Sequence, residues 1–373
     1  MKHAVAKRVA FRIVALLLAS LVGLVSAEWL LRWRQRAIAN SDHPDPGLVQ
    51  YDPQLGWRLT PGWRGRHTHH DFDVSYTIDP SGFRFDPAQP KDKRGRRIAV
   101  MGDSFTFGLG VDDNQTFVSL LNQKGTNTYL NLAVPGYSND QEALLIEQEL
   151  PIRRPDEVLL VVYVGNDLID NQRARPIQFN AAKPFFTLGP KGLLLENVPV
   201  PTEAAAFDAS PPDLAEVVLG PENSRSSLWH KLARRFVVVG QVRDEVMPVP
   251  DYAADFGTRF RTANELFAAI LDRLAKDCEK SKARLTVAIL AGRSFVEEPL
   301  SLSAQYQQFF ATNVLSLCAM RRIPTYDLAA SLRVEFWQHK ANCFHRNDGH
   351  LTPLGHTMVE RAIRNLGIVG SQL

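Results

Sequence analysis

From Arg97 onward, short apolar runs alternate with stretches of helical spacing. Ile98–Met101 reads as a buried strand and Gln115–Gln123 as a helix. Tyr129–Val134 is a second strand, and an amphipathic helix runs from Asp140 to about Ile152. "EVLLVVYVG" (Glu157–Gly165) is almost continuously apolar, as strands covered on both faces of a parallel sheet are. "RLTVAIL" (Arg284–Leu290) and "IPTYDL" (Ile323–Leu328) repeat the strand signal after helical stretches at about 258–278 and 303–319. A last helix is expected from Thr352 to about Asn365. Strands separated by helices predict βαβ units and a parallel sheet with helices on both faces.

Two regions depart from that rhythm. Residues 40–95 are rich in Pro, Gly and Asp, and "DFDVSYTIDPSGFRF" alternates before breaking at Asp79-Pro80-Ser81-Gly82. This is a small β-rich preamble to an α/β domain spanning 96–373. Residues of about 170–255 interrupt the α/β pattern with a hairpin signal around Gly189-Pro190-Lys191-Gly192 and a short helix, "SLWHKLARRF". Insertions of this size usually form surface structure over or beside a site.

At the N-terminus, a basic segment (1–12, with Lys2, Lys7, Arg8 and Arg12) precedes an uncharged stretch from Ile13 to Ala27. That order marks an export signal. Val25-Ser26-Ala27 would suit a signal peptidase, but Trp29, Leu30 and Leu31 resume the apolar character after Glu28. Residues 13–33 are therefore expected to be an uncleaved transmembrane anchor, since about 20 apolar residues cross a bilayer core. Cleavage after Ala27 and a buried amphipathic helix are the alternatives. Either export reading places the remaining chain outside the cytoplasm, in a periplasm or on an outer face.

Composition narrows the classes. With 45% hydrophobic and 22% charged residues, the 373-residue chain is globular rather than disordered. The net charge is only +3, and much of the surplus lies near the N-terminus, so no nucleic-acid partner is expected. Cys278, Cys318 and Cys343 are far apart with no CxxC, which argues against a zinc site.

Candidate chemistry begins at "RRIAVMGDSFTFGLG" (Arg96–Gly110). A P-loop needs four residues between its glycines and then Lys-Ser or Lys-Thr. Five separate Gly102 from Gly108, and no Lys follows. Ser104 as a nucleophile instead requires a base, most often a His oriented by a carboxylate. "HRNDGHLTPLGH" offers His350, two residues after Asp348 and just before a helix that Thr352 would cap, with Pro353 at its first position. In an open parallel sheet, ligands bind outside the carboxyl ends of the strands. Ser104, Gly136 after the second strand and Asn166 after the third should therefore face one edge. A glycine N–H and an Asn amide are both suitable donors to an oxyanion.

"GDSFTFG", "NLAVPGYS", "VVYVGND" and "DGHLTPLGH" together resemble, in order, the blocks of the SGNH (GDSL-like) hydrolases. The resemblance covers roughly residues 97–170 and 283–366. It implies a three-layer α/β/α sandwich with a flavodoxin-like parallel sheet. It further implies Ser104 as nucleophile, Ser104 N–H, Gly136 N–H and the Asn166 amide as oxyanion hole, and His350 as base. The family's acid usually stands three residues before the histidine, where this chain has Asn347. Asp348 is assigned as the acid through a local loop shift, with a Ser-His dyad as the alternative. Asp103 and Asp167 are expected to bond within their own turns.

What the resemblance implies is a membrane-anchored carboxylester hydrolase working through an acyl-enzyme, without cofactor or metal. Its ester substrate would be an O-acylated, for example acetylated, carbohydrate of the cell envelope. An O-acyltransferase with the same serine chemistry and an inactive glycan-binding or envelope-assembly protein are the alternatives. "HTHHDFD" places His67, His69 and Asp71 on one strand face. It is read as an exposed polar face rather than a metal site.

Overall fold

The computed structural model describes residues 2–90, 95–177, 179–202, 217–218, 235–238, 252–365 and 367. The chain divides into two compact units, one made of Met1–Asp42 with Asp213–Pro250 and the other of His43–Pro212 with Asp251–Leu373. The expected insertion is thus shared between the units, and the β-rich preamble belongs to the same unit as the α/β sheet. The short helix expected at 227–236 lies, but for its last two residues, outside the described residues.

The first unit is built on helix Lys2–Ala39. Its stretch Phe11–Ala39 is long and apolar enough to cross a membrane, with a mean hydropathy of 2.2 over an 18-residue window. The carboxylate of Glu28 accepts hydrogen bonds from the Val237 and Val238 N–H groups at 3.0 and 2.9 Å. It also pairs with Arg32 one turn on, at 2.6 Å.

In the second unit, strands β1 (His43–Pro44), β4 (Arg64–His69) and β5 (Phe72–Thr77) form an antiparallel sheet, and β2 (Val49–Asp52) pairs with β3 (Gly56–Leu59). The central sheet holds β6 (Arg97–Met101), β7 (Thr128–Asn131), β8 (Glu157–Tyr163), β11 (Arg284–Leu290) and β12 (Thr325–Asp327). Its five strands are all parallel, in the order β12-β11-β8-β6-β7. Counted among these five alone, that is 2-1-3-4-5, the flavodoxin-like arrangement, with its switch point between β6 and β8. The expected hairpin is present as β9 (Phe185–Gly189) and β10 (Gly192–Glu196).

Helices Asn139–Arg153 and Arg261–Lys280 pack together on one face of the sheet, and Leu302–Met320 packs on β11 and β12. Phe117–Lys124, Leu328–His339 and Pro353–Asn365 form the other layer. Strand interiors such as Ile98, Ala99, Val100, Leu159 and Leu160 are fully buried, which is why their sequences do not alternate.

Boundaries shift for local reasons. The helix expected from Gln115 begins at Phe117, because the Thr116 side chain accepts from the Ser119 N–H and caps it. The strand expected to reach Val134 spans Thr128–Asn131, although the Leu132 and Val134 N–H groups still donate to the Val100 and Gly102 carbonyls. The helical stretch at 258–278 is two helices, Ala253–Arg259 and Arg261–Lys280. The strand expected over Ile323–Leu328 ends at Asp327, and a further helix, Leu328–His339, follows it. Asp327 caps that helix, accepting from the Ala330 N–H at 2.9 Å. All three cysteines are unpaired and buried.

The last helix begins against the loop that carries His350. The Cys343 carbonyl accepts from the Thr352 N–H at 2.9 Å, and a Cβ at Gly355 would run into that same oxygen. Gly355→Ala is therefore expected to destabilise the protein by about 1–3 kcal/mol, the usual cost of overpacking. Thermal unfolding of the variant checks this, and an unchanged midpoint would contradict the packing.

Candidate active site

Strand β6 ends at Met101, and Gly102 follows where a Cβ would strike the Thr106 side chain. Asp103 then accepts from the Phe105 N–H at 2.9 Å, opening one helical turn, Ser104–Phe107. Gly108 closes the turn at φ +86°, its N–H donating to the Ser104 carbonyl. Ser104 is thereby fixed at the head of a capped turn, almost wholly buried.

The C-terminal loop brings a base to it. Phe344 bridges Leu351, and the His345 N–H donates to the His350 carbonyl at 2.8 Å. Gly349 passes between them at φ +91°, a backbone that favours glycine. His350 Nε2 then lies 2.7 Å from Ser104 Oγ. On the other side of the ring, Nδ1 lies 2.8 Å from Asp348 Oδ1. The same oxygen accepts from the His350 backbone N–H at 3.0 Å.

Burial opposes the charge on Asp348, but the His350 imidazole and its hydrogen bonds hold the carboxyl down at about 2. An ionised Asp348 assigns the proton to Nδ1 and leaves Nε2 to accept from the serine hydroxyl. The structure therefore brings Ser104, His350 and Asp348 into one hydrogen-bonded line. Asn347, in the position where the resembled family carries its acid, points away, its amide donating to Asp71 at 2.6 Å.

Gly136 and Asn166 follow β7 and β8, the strands on either side of β6. Gly136 sits at φ +80° beneath the Phe179 ring, with no room for a Cβ. Phe179 stacks on Trp57 at 4.4 Å. Trp57 in turn donates to the Pro135 carbonyl at 3.0 Å, and its own carbonyl accepts from Tyr137 Oη at 2.5 Å. Asn166 Nδ2 donates to Asp170 Oδ2 at 2.7 Å, which fixes the amide orientation and leaves the second hydrogen for another acceptor. Burial pushes the Asp170 carboxyl up to about 6.

Beneath the site lies a buried acidic group that the sequence did not disclose. Asn139 Nδ2 donates to both Glu142 at 2.9 Å and Asp167 at 3.1 Å, so these carboxyls are neighbours. Asp167 also accepts from the Tyr163 N–H at 2.9 Å. Burial, followed by the neighbouring acids, raises Asp167 well above its ordinary value and Glu142 to about 8. Asp140 pairs with the buried Lys183. Asp103 bonds within its turn, as expected, and burial raises it to about 6.

Segment His67–Asp73 is not the exposed polar face expected of it. Inward alternation on β4 buries His67 against Tyr76 Oη, 2.9 Å from Nδ1, because the opposing β5 face carries Phe72, Val74 and Tyr76. His69 stacks on Phe72, and Asp71 turns to the 347–348 backbone. His67 also meets the Phe72 ring edge-on, so both histidines pack on Phe72 while the Asp71 carboxylate faces the other loop. Among the described residues, no group of three His, Cys, Asp or Glu is arranged to hold a metal.

No family model and no curated protein matches the chain. Solved structures similar to it include a member of the lipolytic G-D-S-L family from Veillonella parvula DSM 2008, at 10% identity and TM-score 0.40, covering 73% of this chain and 98% of that one. LAE5, an alpha/beta hydrolase from the metagenome of Lake Arreo, matches at 11% identity and TM-score 0.43, covering 75% and 99%. A catalytic mutant of the acetylxylan esterase Axe2 from Geobacillus stearothermophilus matches at 10% and 0.38, covering 76% and 100%.

The five-stranded parallel sheet between helical layers stands on the chain's own topology. Likenesses of this size carry no argument about chemistry, which rests on the residues themselves. Sequence reasoning missed the roles of Asp71, Trp57 and Phe179, which act across long sequence separations, and of Asp170 and Glu142, which bond to Asn166 and Asn139 within one helical turn. Only the Asp71 segment carried a signal, its unusual density of His and Asp.

The buried Glu142 gives a test with a definite sign. Its folded value of about 8 lies above the ordinary 4.5, so folding is most favoured below pH 4.5 and loses this contribution as pH rises toward 8. Glu142→Gln removes the group. Its stability relative to wild type should therefore rise from pH 5 to pH 8, by at most about 1.4 kcal/mol per pH unit. Denaturant unfolding at the two pH values reads the difference, and a constant offset would refute the neutral buried acid.

Proposed function

We propose that this protein is a serine carboxylester hydrolase, held to a membrane by its N-terminal helix with the α/β unit outside the cytoplasm. The observation that carries this reading is the line from Ser104 Oγ through His350 to Asp348, with contacts of 2.7 and 2.8 Å. In acyl transfer, Ser104 Oγ attacks the ester carbonyl carbon while Nε2 takes its proton. The oxyanion of the tetrahedral intermediate is met by the Ser104 and Gly136 N–H groups and by Asn166 Nδ2. His350 then gives its proton to the departing alkoxide as the carbon–oxygen bond breaks. Water, activated by the same imidazole, attacks the acyl-enzyme and releases Ser104.

Asp348, ionised at neutral pH, stabilises the imidazolium formed in each half-reaction. A carboxylate 2.8 Å from Nδ1 favours turnover over the inactive glycan-binding alternative. Esters of envelope carbohydrate are the substrate class that the SGNH resemblance and the N-terminal span together favour.

Full-length protein in detergent should hydrolyse p-nitrophenyl acetate. Ser104→Ala should lower kcat by about a thousandfold or more, as loss of a triad serine does. Asn166→Ala should cost about 10²–10³ in kcat, the usual loss for one oxyanion donor. Equal rates for wild type and Ser104→Ala, on this ester and on acetylated glycans, would overturn the reading.

A further inference from the structure

Loop 345–350 has its acid on the histidine at a spacing of two residues, and something outside the loop must hold it there. The carboxylate of Asp71, in the turn between β4 and β5, faces this loop. Asp71 Oδ2 accepts from the Asn347 N–H at 2.6 Å and from the Asp348 N–H at 3.0 Å. Asp71 Oδ1 accepts from Asn347 Nδ2 at 2.6 Å. Burial alone would raise this acid, but the hydrogen bonds from Asn347 and Asp348 outweigh it and lower it. The three bonds are thus charge-assisted at neutral pH.

They pin two consecutive residues from one side. From the other, the Asp348 side chain closes on the His350 N–H and Nδ1. The same hairpin also reaches the nucleophile segment. Tyr76 Oη accepts from the Gly110 N–H at 2.8 Å, and Asp112 and Asp113 accept from the Ser75 and Thr77 N–H groups. His345 lies between the two loops, with Nε2 3.2 Å from the Gly110 carbonyl and its ring against Phe72.

We propose that Asp71 is a positioning residue, clamping the Asn347–Asp348 backbone so that the Asp348 carboxylate stays on His350 Nδ1 and the imidazole stays aimed at Ser104. Asn347 is then part of the clamp, which accounts for an amide where the resembled family has its acid. The kinetic consequence rests on the hydrolase reading, whereas the effect on the imidazole does not. Asp103, His345 and His356 also interact with the His350 charge, His345 and His69 interact with Asp71, and His69 interacts with Asp348.

The test compares full-length wild type, Asp71→Ala, Asp71→Asn, Asp348→Ala and the Asp71→Ala/Asp348→Ala double variant. Two quantities are measured: kcat and KM on p-nitrophenyl acetate, and the NMR titration of the His350 ring. Asp71→Ala should lower kcat by about tenfold with KM within about twofold, a misplacement effect, and should move the imidazole titration to lower pH. Asp71→Asn, keeping one acceptor oxygen, should fall between. In the Asp348→Ala background, Asp71→Ala should change neither quantity, because coupled residues are not additive.

The proposal is overturned if Asp71→Ala matches wild type in both quantities, or if it costs the same factor with and without Asp348. Should Asp71→Ala not fold, Asp71→Asn carries the same comparison. If wild type and Ser104→Ala prove equally inactive, the reaction falls, and the titration alone decides the role of Asp71.

Discussion

A parallel sheet buried on both faces leaves its strand ends as the places where polar chemistry can stand, and the rest of this unit follows from that constraint. Strands β7, β6 and β8 run side by side in one direction, so the turns that leave them open at one edge. Ser104 leaves the middle strand, and Gly136 and Asn166 leave its neighbours. The flavodoxin-like order puts its switch point between β6 and β8, where the two connections diverge and a substrate finds room. Apolar burial of the strands thus places the polar groups, although none of those groups contributes to the burial.

Electrostatics at this edge are divided. On the solvent side, Asp348 is ionised and paired with an imidazole that itself faces a hydroxyl. On the buried side, Glu142 and Asp167 are held as neutral acids next to a single bridging amide. Of the carboxylates at this edge, Asp348 is the one bonded to the imidazole, where it can stabilise an imidazolium. Keeping the deeper acids neutral is the lower-energy solution, since an unpaired buried carboxylate costs several kcal/mol.

The small β-rich segment before the sheet is more than a connector. Trp57 braces the loop of Gly136 through Pro135 and Phe179, and Tyr76 reaches Gly110 beyond the nucleophile turn. Asp71 meets the backbone of the acid loop. Residues separated by more than 270 positions in sequence thereby share hydrogen bonds, which ties the order of the C-terminal loop to the folding of the N-terminal strands.

Periodicity along the chain by itself determined the parallel α/β sheet, its strand positions within a few residues and the hairpin at Gly189–Gly192, because burial on two faces writes continuous apolar runs. Motif spacing singled out Ser104, Gly136, Asn166, His350 and Asp348, since a serine needs partners and the turns at strand ends are short and local. Which oxygen meets which nitrogen was decided only in three dimensions. The acid position of the resembled family, here Asn347, and Asp348 differ by one place, and Asp348 reaches His350 through a loop held from outside. His67 turned inward because the facing strand carries Phe72, Val74 and Tyr76, a pairing that a single strand's sequence does not contain. Glu142 and Asp103, on separate elements, are both raised by burial that the fold creates, and burial of a charge is a property of the packed molecule rather than of any one segment.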